Sequence, residues 1–232
     1  MKSIRVDDGT EMNVFTAAPH GSGKFPGILV FQEAFGVNGH IRDVAERFAK
    51  LGYVAAAPEL FHRTAPGFEG RYDDFDSVRK HMSALTNEGL EADARAAFEM
   101  LRGDAACNGR IVSIGFCMGG RVSYLANAIL PLAAAVSYYG GGIAPALLDR
   151  APSQHGPILL HWGGLDKHIG EEQRAAVRGA LTNASKPFID ILFSFADHGF
   201  NCDQRASYNP EAARDAWALT TSFLGAHSSG RA

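Results

Sequence analysis

A chain of 232 residues, 46% hydrophobic and 20% charged, has the make-up of a soluble globular protein able to bury a substantial core. Its formal net charge of −3 gives no electrostatic reason to expect nucleic acid or an anionic membrane as a partner. The three cysteines, Cys107, Cys117 and Cys202, are too few and odd in number for a disulfide framework, and no apolar run approaches the ~20 residues of a membrane span.

The N-terminal residues Met1-Lys2-Ser3-Ile4-Arg5-Val6 lack the apolar stretch of a signal peptide, so none is expected. Residues 10–16 read as a first strand and 17–24 as a polar loop. Residues 26–31 (Pro-Gly-Ile-Leu-Val-Phe) are continuously apolar, as in a strand covered on both faces. Ile41, Val44, Ala45, Phe48 and Leu51 recur at helical spacing over 40–51, and Gly52 stops that helix. Residues 53–57 form the next buried strand. Residues 60–74, with Pro66, Gly67 and Gly70, read as a loop placed where a substrate-covering loop could lie. Helices are predicted over 78–85 and 90–101, then a strand over 110–114 and a helix over 121–130. Further strands fall at 133–138, 157–161 and 188–195, with helices over 171–181 and 210–224. Strands alternate with helices throughout, which predicts one α/β domain over 1–232. Its mostly parallel sheet carries helices on both faces, and a frayed tail is expected from 225 to 232.

The strand over 110–114 runs into Gly115-Phe116-Cys117-Met118-Gly119-Gly120 and then a helix. Strand, Gly-x-nucleophile-x-Gly, helix is the pattern of a nucleophile elbow, here with a thiol in place of a hydroxyl. The glycines are steric requirements, because the turn is too tight for side chains around the nucleophile. Asp166 follows the apolar run 157–160, and His198 follows the run 188–195. Nucleophile, acid, histidine is the chain order of the α/β-hydrolase triad. In that reading Cys117 attacks a carbonyl, His198 carries the proton, and Asp166 orients His198. The backbone N–H of Met118 is one candidate oxyanion donor, and that of Ala34, in the loop after residues 26–31, is the second. Glu33, on pattern alone, reads as a solvated loop carboxylate. His161 and His168 near Asp166 raise a metal site, but without a recognisable ligand spacing none is expected. A reactive thiol favours a reducing, cytoplasmic setting.

The segments Gln32-Glu33-Ala34-Phe35-Gly36, Ala57-Pro58-Glu59-Leu60-Phe61, Gly115-Phe116-Cys117-Met118-Gly119-Gly120, Gly164-Leu165-Asp166 and His198-Gly199-Phe200 resemble the dienelactone hydrolase family (carboxymethylenebutenolidases) in order and spacing along nearly the whole chain. The resemblance implies an α/β-hydrolase fold and a Cys117–Asp166–His198 triad, with no metal or organic cofactor. It also gives Glu33 a role, as acceptor of the thiol proton when substrate binds. The implied substrates are small lactones or esters, enol lactones bearing a carboxylate among them. Family members acting on dienelactone hold that carboxylate with two arginines. Where one of them lies, four residues after the histidine, this chain has Cys202, with Arg205 three further on. For the other, Arg71 and Arg79 are the candidates. The match in chemistry is therefore closer than the match in substrate. A monomer or small homo-oligomer is expected. Two other readings are a non-catalytic binding module on the same fold and thiol redox chemistry between Cys117 and Cys202. The first usually loses a triad member, and all are present here. The second lacks the C-x-x-C spacing.

Overall fold

The apolar run after the first polar loop forms β3 (Phe25–Phe31), whose last five residues are buried. It pairs in parallel with β4 (Val54–Pro58), buried along its whole length. Such strands read as unbroken apolar stretches because both faces are covered. The structure, a computed structural model, describes residues 1–229. It divides into two compact units, Met1–Val112 and Ser113–Ala232.

In the first unit β1 (Lys2–Arg5) pairs antiparallel with β2 (Glu11–Ala17), and β2 antiparallel with β4. The strand order here is β1-β2-β4-β3. Helix α1 (Gly39–Lys50) starts where the Asn38 side chain accepts from the Ile41 N–H, and it is followed by Gly52 at φ +91°, a conformation closed to most side chains. Helices α2 (Phe75–Ser83) and α3 (Asn87–Arg102) begin three residues earlier than their apolar periodicity predicts. Asp74 and Thr86 cap them, each side chain accepting a backbone N–H of the first turn.

Strand β5 (Cys107–Phe116) passes from the first unit into the second, which has the order β5-β6-β7-β8. The strands β6 (Ala135–Tyr138), β7 (Ile158–Gly163) and β8 (Phe188–Phe193) are all parallel to their neighbours. Between them lie α4 (Met118–Ile129), a short 3-10 helix (Leu148–Ser153) and α5 (Glu171–Asn183), with α6 (Pro210–Ser228) after β8. The eight strands thus belong to a mostly parallel sheet flanked by helices. Helix α6 takes in residues 225–228, which the sequence assigns to a frayed tail; the rest of that tail past Ser229 lies outside the described residues. Among the described residues no helix is long and apolar enough to cross a membrane.

A buried polar junction holds α6 against the strands. Thr220 Oγ1 lies 2.7 Å from the Tyr138 hydroxyl and 3.0 Å from His161 Nε2. All three residues are fully buried, and burial pushes the His161 imidazole down to about 3, so it is neutral. This makes His161 a core residue that serves packing. Thr220→Val keeps the shape and orphans both partners. It is expected to lower unfolding stability by about 1–3 kcal/mol, measurable by urea titration.

Candidate active site

The site is built in the second unit from three loops that follow the parallel strands β5, β7 and β8. Cys117 is the single residue between β5 and α4, and its backbone sits at φ +55°, ψ −118°. An L-residue with a side chain seldom occupies that region, and its cost is met only where the surroundings fix it. Here the Cys117 N–H donates to the Tyr138 carbonyl at 3.0 Å, while the Cys117 carbonyl accepts from the Gly120 N–H at 2.9 Å. A Cβ on Gly115 would lie 1.8 Å from the Gly119 carbonyl oxygen, so no residue but glycine fits there. Met118 opens α4, and N–H groups in a first helical turn have no intrahelical acceptor.

Asp166 lies in the turn after β7. Its Oδ1 accepts from the N–H groups of His168 at 2.8 Å and Ile169 at 3.2 Å, and its Oδ2 lies 2.7 Å from His198 Nδ1. The loops after β7 and β8 run in close contact. Gly164 N–H donates to the Phe193 carbonyl and Leu165 N–H to that of Ala196, at 2.8 and 2.9 Å. A Cβ on Gly164 would meet Ser194 backbone at 2.6 Å. The glycine is what lets the His198 loop pass beside the Asp166 loop.

The electrostatics follow from this arrangement. Burial opposes a charge on Asp166, but the His198 hydrogen bond, the His198 charge and the two backbone N–H groups outweigh it and hold the carboxyl below its ordinary range. Burial also opposes charge on His198. The electrostatic and hydrogen-bond contacts of Cys117 and Asp166 override it and push the imidazole up from 6.5 to about 10. The hydrogen bonds thus run from Asp166 through His198 to Cys117. Two further rings touch the histidine. Tyr139, itself at φ +38°, lies 5.0 Å from it between centroids, and His168 meets it edge to face at 5.5 Å.

The remaining expected residues divide between the units. Cys202 is fully buried and forms no disulfide. Arg205 is held close to the histidine turn, since a Cβ on Gly199 would lie 2.4 Å from its guanidinium. In the first unit Glu33 and Ala34, directly after β3, are both fully buried. The solvated-loop reading of Glu33 therefore fails, because the carboxylate is shut away from water. The segment carrying them is fixed by the 60–72 loop. Gln32 Oε1 accepts from the Leu60 N–H at 3.0 Å, the Phe35 carbonyl accepts from the Gly70 N–H at 3.0 Å, and Phe35 packs edge-on to Tyr72 at 4.6 Å. Arg71 and Arg79 are exposed, and each is ion-paired to a near neighbour, Asp73 and Asp76. The periodicities used for the sequence give no sign of Tyr139 or His168. A Tyr-Gly-Gly-Gly run after a strand was the available signal for the first.

A mostly parallel sheet with a strained cysteine turn after β5, an aspartate loop after β7 and a histidine loop after β8 has the form of an α/β-hydrolase. The comparisons agree. Residues 12–228 match the dienelactone hydrolase family, and the chain belongs to that family. It is 38% identical over 213 residues to a Synechocystis sp. protein provisionally named carboxymethylenebutenolidase, covering 88% of this chain and 87% of that one. It is 31% identical over 207 residues to the carboxymethylenebutenolidase of a Pseudomonas sp. (strain P51), covering 87% and 85%. The solved structure titled m3DLH superposes with a TM-score of 0.86 at 29% identity, covering 98% of each chain. The protein is accordingly an enzyme, a carboxylic ester hydrolase of the dienelactone hydrolase type.

Two outcomes test this geometry. Gly115→Ala is expected to destabilise the fold by about 1–3 kcal/mol or more through the clash with Gly119, read as a drop in thermal midpoint. Asp166→Asn removes a charge that stabilises the imidazolium. The titration midpoint of His198, followed by NMR, is therefore expected to fall towards its ordinary value. The sign has a stability consequence. A histidine raised to about 10 contributes stability fully below about 6.5 and loses it as pH climbs through about 10.

Proposed function

We propose that the protein hydrolyses a small lactone or carboxylic ester through an acyl-enzyme on Cys117. The observation that carries the reading is the Cys117–His198–Asp166 hydrogen-bonded chain at a positive-φ turn between a strand and a helix. A thiol becomes a strong nucleophile once its proton is taken. Attack on the carbonyl forms the Cys117 Sγ–C bond and puts charge on the carbonyl oxygen. The Met118 N–H is the proposed donor to that oxygen, with the Ala34 N–H as the second. His198 then gives its proton to the leaving alkoxide, or to the ring oxygen of a lactone, as the C–O bond breaks. In the second half His198 takes a proton from water, the hydroxide adds to the thioester, and Cys117 leaves as thiolate.

Glu33 is proposed to take the thiol proton when substrate binds. Its full burial at the end of an apolar strand supports a working carboxylate over a solvated one. For the substrate, Arg205 is favoured over Arg71 and Arg79 as a carboxylate partner, because it packs against the turn that carries His198 while the other two are held in exposed local ion pairs.

The test is a panel of small lactones and esters assayed with variants. Cys117→Ala is expected to abolish turnover with the fold intact, and His198→Ala to lower kcat by about 10²- to 10⁴-fold. Glu33→Gln is expected to slow acylation. Near-normal turnover in Cys117→Ala contradicts the proposal.

A further inference from the structure

His168 is a group beside the site that the proposed chemistry leaves unused. It lies two residues past Asp166, its side chain is exposed, and it has no part in the proton path. It nevertheless touches both supporting members of the triad. Its backbone N–H donates to Asp166 Oδ1 at 2.8 Å, and its ring meets the His198 ring at 5.5 Å between centroids and 82° between planes.

We propose that His168 is a positioning residue, whose imidazole fixes the plane of the His198 ring by an edge-to-face contact. A hydrogen bond at Nδ1 alone leaves the His198 ring free to swing about the line to Asp166. Rotation about that line moves Nε2, the nitrogen left for the Cys117 sulfur. A second contact perpendicular to the ring removes this freedom, and Tyr139, at 5.0 Å, is the other ring that leans on it. Proton transfer is sensitive to displacements of this kind, because it needs the donor and acceptor at hydrogen-bond reach. The division of labour within His168 also makes the idea testable. A side-chain change removes the ring and leaves the backbone bond to Asp166 in place.

The inference rests on the proposed role of His198, so Cys117→Ala is assayed in parallel on the same ester panel. With turnover lost in Cys117→Ala, His168→Ala is expected to lower kcat about tenfold with KM unchanged and the thermal midpoint unmoved, the size of one lost aromatic pair. His168→Phe keeps a ring and is expected to recover most of the rate. The His198 Nδ1–H resonance is expected to broaden in His168→Ala and to sharpen again in His168→Phe. Unchanged kcat in His168→Ala, or a phenylalanine variant as slow as the alanine one, overturns the positioning role while leaving the Cys117 chemistry standing. Full turnover in Cys117→Ala overturns both.

Discussion

The backbone of Cys117 is held at φ +55° between a strand and a helix, and the rest of the site is arranged around that one residue. A conformation this unfavourable survives only if its neighbours leave no alternative. Gly115 admits the Gly119 carbonyl where a side chain would stand, and the end of β6 takes the Cys117 N–H. The result is a thiol raised off the end of the sheet at the start of α4. There a helix N-terminus favours negative charge.

That placement only matters because the next two loops deliver their groups to the same spot. Parallel strands end on the same side, so the loops after β5, β7 and β8 all emerge at one edge of the sheet. The buried Thr220 junction and the Gly164 close approach set the spacing of those loops. The electrostatics then sort the three groups. The Asp166 carboxyl is held below its ordinary range despite burial, and its contacts with His198, together with those of Cys117, raise the imidazole.

Much of this was legible in the sequence, and for physical reasons. The elbow was readable because its glycines are forced by contacts between residues four apart. The buried strands were readable because two covered faces leave no room for polar alternation, as in β3 and β4. The helix α2 was placed late because its apolar period starts at Val78, while the true start is set by the Asp74 cap, a signal that was present. Strand β1 escaped because Lys2-Ser3-Ile4-Arg5 has no apolar face, and only pairing with β2 makes it a strand. The local ion pairs of Arg71 and Arg79 could have been read from the acidic residues within three positions of each. The contact of His168 with His198 could not, since it joins loops thirty residues apart in sequence through their folded course.

The central claim is that a covalent bond forms at the Cys117 sulfur during turnover. The most direct measurement is rapid acid quench of the enzyme with a chromogenic short-chain ester, followed by peptide mass spectrometry. The account predicts an acyl group on the peptide containing Cys117, formed with the burst of alcohol release and lost as turnover completes. Turnover with that peptide unmodified at every time point, or an acyl group on another residue, contradicts it.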